Sequence, residues 1–95
     1  MAETDFVLVF TYDIARDKIR RRVAELLERH ATRVQYSVFE GRMTLAAGES
    51  VLGQIDKLRD EGDSIRMYAL TEQGRERSRV AGGAPIAERT EFWLL

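Results

Sequence analysis

Residues 6–12, Phe-Val-Leu-Val-Phe-Thr-Tyr, are seven uncharged positions in a row in a chain that is 33% charged. Most are β-branched or aromatic. A run of this kind reads as a strand apolar on both faces, and therefore as the middle of a sheet rather than its edge. Asp13 ends it abruptly, just ahead of a strongly basic helical stretch. A carboxylate at the lip of a buried strand, close to arginines, is a place where a metal and a phosphate can meet. It is also the ordinary position of a helix cap. From the residues alone both roles stay open.

The rest of the chain supplies partners for such a strand. Ile19, Val23, Leu26 and Leu27 recur at helical spacing and predict an amphipathic helix over residues 17–30, with Asp13 or Asp17 as its N-cap. Residues 33–40 alternate as a strand, Gly41 offers a turn or bulge, and residues 42–45 return beside it. Val51, Leu52, Ile55 and Leu58 mark a second helix over 47–59, weakened by Gly48 and Gly53. Glu61-Gly62-Asp63 is a turn, and residues 64–70 alternate as a fourth strand. The order strand, helix, strand, strand, helix, strand predicts an α+β, ferredoxin-like βαββαβ domain over residues 1–80, an antiparallel sheet with both helices on one face.

Helices on one side leave the other sheet face in need of a cover. The tail, residues 81–95, holds a Gly/Pro break at 82–85 and ends on Phe92-Trp93-Leu94-Leu95. A bulky apolar terminus beyond such a break is expected to dock on something, and the expectation here is a homodimer with tails on the partner subunit. A short run at 78–81 including Val80 predicts an additional C-terminal strand.

Composition narrows the chemistry. There is no cysteine and a single histidine, His30, so thiolate nucleophiles, disulfides and cysteine- or histidine-rich metal sites are out of reach within one chain. Any metal would be a hard cation on oxygen ligands, Mg²⁺ or Mn²⁺. No apolar run reaches the roughly 20 residues of a membrane span, and the acidic start is unlike a signal peptide, which predicts a cytoplasmic protein without membrane contact. The net charge of −1 is unevenly spread: residues 16–33 carry seven basic and three acidic side chains, a local +4, leaving −5 elsewhere. Thirteen of the fifteen basic residues are arginine, suited to phosphate oxygens, although a solvated helix face has the same look. Several of these cations crowd the positive end of the first helix, where they cost a few tenths of a kcal/mol each.

Tyr12-Asp13-Ile14, then Arg20-x-Arg22-Val23-Ala24, then Arg33-Val34-Gln35-Tyr36-Ser37-Val38-Phe39-Glu40-Gly41 closely resemble the CRISPR-associated Cas-two family, small partner proteins of the spacer-acquisition integrase. The likeness spans about residues 6–80. It implies a ferredoxin-like dimer whose first-strand aspartates face each other across the two-fold axis. It implies a metal-binding, catalytic Asp13 using Mg²⁺ or Mn²⁺. It matches Tyr12 to the aromatic before the aspartate, Arg20, Arg22 and Arg33 to basic positions near the site, and Ser37 and Phe39 to second-strand positions beside the dimer cleft. With Arg16 of the basic cluster these are the candidate nucleic-acid contacts, the alternatives being core or interface for Tyr12 and Phe39 and a local sheet hydrogen bond for Ser37. The family often has a second acidic residue soon after the first, and here Ile14-Ala15-Arg16 intervenes before Asp17. Two functions follow from the resemblance. One is CRISPR adaptation by a dimeric metal-dependent endonuclease acting on RNA or DNA. The other is a non-catalytic dimeric adaptor that holds duplex DNA and bridges subunits of an integrase partner. A ferredoxin-like ligand-binding module is a weaker third, for which no nucleotide-binding glycine loop is present.

Overall fold

The computed structural model describes residues 4–87. The elements run β1 (Asp5–Asp13), α1 (Asp17–Glu28), β2 (Thr32–Gln35), β3 (Val38–Thr44), α2 (Leu45–Leu58), β4 (Ser64–Leu70) and α3 (Glu72–Arg77). The strands form one antiparallel sheet in the order β2-β3-β1-β4, so the apolar β1 is indeed interior, flanked on both sides. This is the expected ferredoxin-like βαββαβ arrangement.

Alternation along β1 decides the rest. Leu8, Phe10 and Tyr12 point toward the helices and are buried with Phe39 of β3, Ile19, Val23 and Leu27 of α1, and Val51 and Ile55 of α2. Each fully buried aliphatic or aromatic side chain in this layer contributes about 1.5–3 kcal/mol of transfer free energy. Val7, Val9, Thr11 and Asp13 share the opposite face, away from α1 and α2. Gly48 sets how closely α2 settles on the sheet: a Cβ there would overlap the Leu8 side chain and stand 2.8 Å from Met67 Sδ.

Three local expectations change. The hairpin turn is Tyr36-Ser37, not Gly41, which lies inside β3. Gly41 faces the end of α1, where a Cβ would sit 2.8 Å from the His30 carbonyl oxygen and 3.0 Å from Ala31 Cα. The glycine serves close backbone approach rather than a bend. Two-residue hairpins normally need positive φ, and no non-glycine described residue has it. The ladder instead absorbs the mismatch as a register shift between Arg33 and Gln35. Second, α2 begins at Leu45, with the Thr44 hydroxyl accepting a hydrogen bond from the Ala47 N–H at 3.1 Å. Third, residues 78–81 add no strand. The chain after β4 forms α3, capped by the Thr71 hydroxyl on the Gly74 N–H, and then runs in coil.

That coil lies on its own chain. α3 packs on β1 and β4. Arg42, on the face away from α1 and α2, donates to Asp5 (3.2 Å), to Glu72 of α3 (3.0 Å) and to the Ala87 carbonyl (3.4 Å). Arg75 donates to the carbonyls of Ile86 and Ala87. Part of the sheet face thought to need a second copy is therefore covered in cis. The apolar run 92–95 lies outside the described residues.

Candidate metal and nucleic-acid site

Asp13 is the last residue of β1, exposed, on the sheet face away from α1 and α2. It caps nothing. The N-cap of α1 is Arg16, in extended conformation and without a side-chain cap bond, and Asp17 is already helical. The cap role left open by the sequence is thus vacant at both aspartates, because the three-residue link after Asp13 carries the chain past capping reach.

That link is braced from two sides. The Ala15 N–H donates to Asp63 Oδ1 at 3.2 Å, and the Asp60 N–H donates to Asp63 Oδ2 at 3.0 Å. Arg16 reaches both carboxylate oxygens of Asp60, at 3.0 and 3.3 Å. Arg20 donates to the carbonyls of Ile14 (2.9 Å) and Ala15 (2.8 Å) and pairs with Asp17. Two arginines expected to face Asp13 are thereby committed to holding the loop behind it. Their cost at the positive end of α1 is offset by these carbonyls and carboxylates. The Asp13 carboxylate has no hydrogen bond or ion pair among the described residues.

Two residues on the face that Asp13 shares went unnamed by sequence reasoning. Arg66 and Tyr68 of β4 stand opposite Thr11 and Val9, on the same face as Asp13, whose own partner is Ser64. The Arg66 guanidinium donates to the Tyr68 hydroxyl at 3.0 Å, and that bond raises its pKa above the ordinary arginine value. Both are exposed. The alternation of residues 64–70 carries this signal, but only once the register with β1 is known.

The aromatic expectations change most. Phe39 is 0% exposed and Tyr12 is 7% exposed. Their rings stack with centroids 6.3 Å apart, and the Arg33 guanidinium lies 5.1 Å over the Phe39 ring. Phe39 is core, closed off from any base, because its strand position faces the helices. Ser37 is a turn residue whose carbonyl accepts the Tyr12 N–H at 3.2 Å. Arg22 is exposed on α1, with no bond to another described residue.

On the helix side a groove of about 390 Å³ opens between α1 and the hairpin. Arg20, Arg21 and Arg33 line it, with Tyr36 at its rim and Asp17 as its one acid. Tyr36 was read as a strand residue, and the misplaced turn hid it. Asp13 and this groove sit back to back at one end of the molecule, since Tyr12 and Asp13 point to opposite faces.

As a metal site the donor set is thin. No three carboxylate or histidine groups come together among the described residues. A lone, uncommitted carboxylate suits a hard cation that keeps most of its waters and takes its remaining oxygens from a second copy or a phosphate. On those terms the residues fit Mg²⁺ or Mn²⁺. Among the described residues no helix is long and apolar enough to cross a membrane.

The comparisons with known proteins agree with one another. The family model for CRISPR associated protein Cas2 matches residues 6–78. A CRISPR-associated endoribonuclease Cas2 of Synechocystis sp. is 38% identical over 93 residues, covering 96% of this chain and 99% of that protein. The crystal structure of Streptococcus pyogenes Cas2 superposes with a TM-score of 0.67 at 33% identity, over 80% of this chain and 99% of that one. A chain in a partial Cas6-RT-Cas1–Cas2 complex superposes with a TM-score of 0.73 at 27% identity, over 97% of this chain and 100% of that one.

Proposed function

This chain belongs to the CRISPR-associated Cas2 family, and on that premise we propose that it is a CRISPR adaptation protein acting as a dimeric, metal-dependent endonuclease centred on Asp13. The observation that carries the reading is the state of Asp13. It is exposed at the end of the central strand, freed from capping, and held in place by a braced loop without being bonded to it. A carboxylate so positioned and so unspent is a ligand in waiting. The endoribonuclease name of the Synechocystis relative supports a phosphodiester substrate.

In this reading two copies meet by the sheet faces away from α1 and α2, at the end that carries Asp13, bringing Asp13 of one toward Asp13 of the other. The two carboxylates, with phosphate oxygens, would hold Mg²⁺ or Mn²⁺, whose chemistry when bound is to polarise the phosphate and lower the pKa of a water. Arg66, on the same face, stabilises the negative charge that builds on the phosphate. Arg16 and Arg20 act through the loop, keeping Asp13 from drifting with the link that follows it. Arg22 contacts backbone phosphates from α1 without reading sequence.

A second reading draws on a different observation. Among the described residues no group of three carboxylates or histidines gathers at Asp13, a sparse set for hydrolysis, while the likeness to a chain of a Cas1–Cas2 complex supports a bridging role. The protein would then be a dimeric adaptor, holding duplex DNA by its backbone and docking an integrase partner.

Cleavage of labelled single-stranded RNA and duplex DNA separates the two. It should be assayed with Mg²⁺, with Mn²⁺ and with EDTA, alongside Asp13→Asn. The nuclease reading expects metal-dependent cleavage that falls by about 100-fold or more in the variant. Equal cleavage by both proteins, or none by either, would overturn it in favour of the adaptor.

A further inference from the structure

Tyr36 is the most exposed large apolar side chain among the described residues, at 73%. The ring is presented rather than dangling. The backbone beneath it is tied at two points: the Tyr12 hydroxyl donates to the Tyr36 carbonyl at 3.5 Å, and the Tyr12 N–H to the Ser37 carbonyl at 3.2 Å. Tyr12 is itself buried, so the turn is anchored to the core. The ring borders the groove of about 390 Å³, within the range of pockets that take small ligands.

The charge of the groove selects the ligand. Three arginines face one aspartate, and that aspartate is already paired with Arg20. Arg21 is exposed and has no bond to another described residue, and Arg33 has only the Phe39 ring beneath it. An anion that also offers a flat face to an aromatic ring is a nucleotide. Bases in a duplex stack on one another and present no free face, whereas an unpaired base does.

From this we infer that Tyr36 is a stacking platform for an unpaired base of a single strand, whose phosphates lie on Arg21 and Arg33. The inference rests on the nucleic-acid reading above and names which form of nucleic acid this groove takes. It is independent of Asp13, which lies on the other face. The ring supplies a sequence-tolerant contact, and the arginines supply a salt-sensitive one.

The test is binding, measured by fluorescence anisotropy in EDTA and again with Ca²⁺. The ligands are short single-stranded RNA and DNA oligonucleotides carrying a terminal 2-aminopurine, and a blunt duplex. Tyr36→Ala should weaken single-strand binding by about 10-fold and abolish the 2-aminopurine quenching that reports stacking. Duplex binding should change by less than two-fold, and Tyr36→Phe, which keeps the ring, should behave as wild type. Because the side chain is mostly in solvent, Tyr36→Ala is expected to retain the wild-type circular dichroism spectrum. If wild type binds single strands and Tyr36→Ala binds them equally well, or loses duplex affinity to the same extent, the stacking role is refuted. If wild type binds none of these ligands in either buffer, the nucleic-acid reading falls and this inference with it.

Discussion

Two glycines of α2 offer a direct measurement of how tightly the helix layer sits on the sheet. Replacing glycine by alanine in a helix interior is worth about 1 kcal/mol of propensity, wherever in the helix it is done. At Gly53 the added methyl would meet nothing within 4 Å, so that gain should appear almost whole. For a domain of this size it corresponds to about 4–8 °C in Tm. At Gly48 the same methyl overlaps Leu8 Cδ1 and comes to 2.8 Å of Met67 Sδ, where unstrained contacts need about 3.5–4.0 Å. Leu8 is 0% exposed and held from all sides, so relief must come from Met67 and from lifting α2 off β1. Overpacking of this kind costs about 1–3 kcal/mol. The propensity gain cancels between the two variants, leaving Gly48→Ala about 1–3 kcal/mol less stable than Gly53→Ala. Their Tm values should then differ by at least about 4 °C. Thermal unfolding by circular dichroism at one fixed protein concentration, since a dimer would make Tm concentration-dependent, reads the difference. If Gly48→Ala proved as stabilising as Gly53→Ala, the close seating of α2 on Leu8 and Met67 would be refuted.

Other perturbations probe the remaining layers. Phe39→Ala removes a fully buried ring beneath Arg33 and should cost about 3–5 kcal/mol in urea unfolding. A variant with wild-type stability would mean the ring is not core. Arg42→Ala should release Asp5, Glu72 and the Ala87 carbonyl together, lowering stability by about 1–3 kcal/mol and quickening proteolysis within residues 79–87. Unchanged proteolysis would show that the segment is held by something else. The buried, unpartnered Nε of Arg42 softens this cost, since part of the guanidinium is desolvated without return.

Much of the architecture was legible because periodicity is a property of the chain itself. The apolar run at 6–12 could satisfy both faces only inside a sheet, and it is the strand between β3 and β4. The fourth strand was read at its observed bounds, Ser64–Leu70, because alternation and a preceding turn agreed. Asp13 could be singled out because an unpaired carboxylate ending a buried strand is conspicuous in sequence. The hairpin was misread for an equally local reason. Glycine signals a turn, but Gly41 answers to the His30 carbonyl across the fold, a contact with no sequence signature.

What the chain determined alone, then, is its alternation and its helical stripes, and with them the order of elements and the burial of β1. What only tertiary structure decided is which neighbours those patterns meet. Register placed Arg66 and Tyr68 on the face of Asp13. Loop packing spent Arg16 and Arg20 on carbonyls and on Asp60 rather than on a ligand. Strand direction sealed Phe39 in the core, and the two-residue turn left Tyr36 standing in solvent. Side-chain direction along a strand reverses at every residue, so the face a group serves depends on a pairing made with residues far away in the chain.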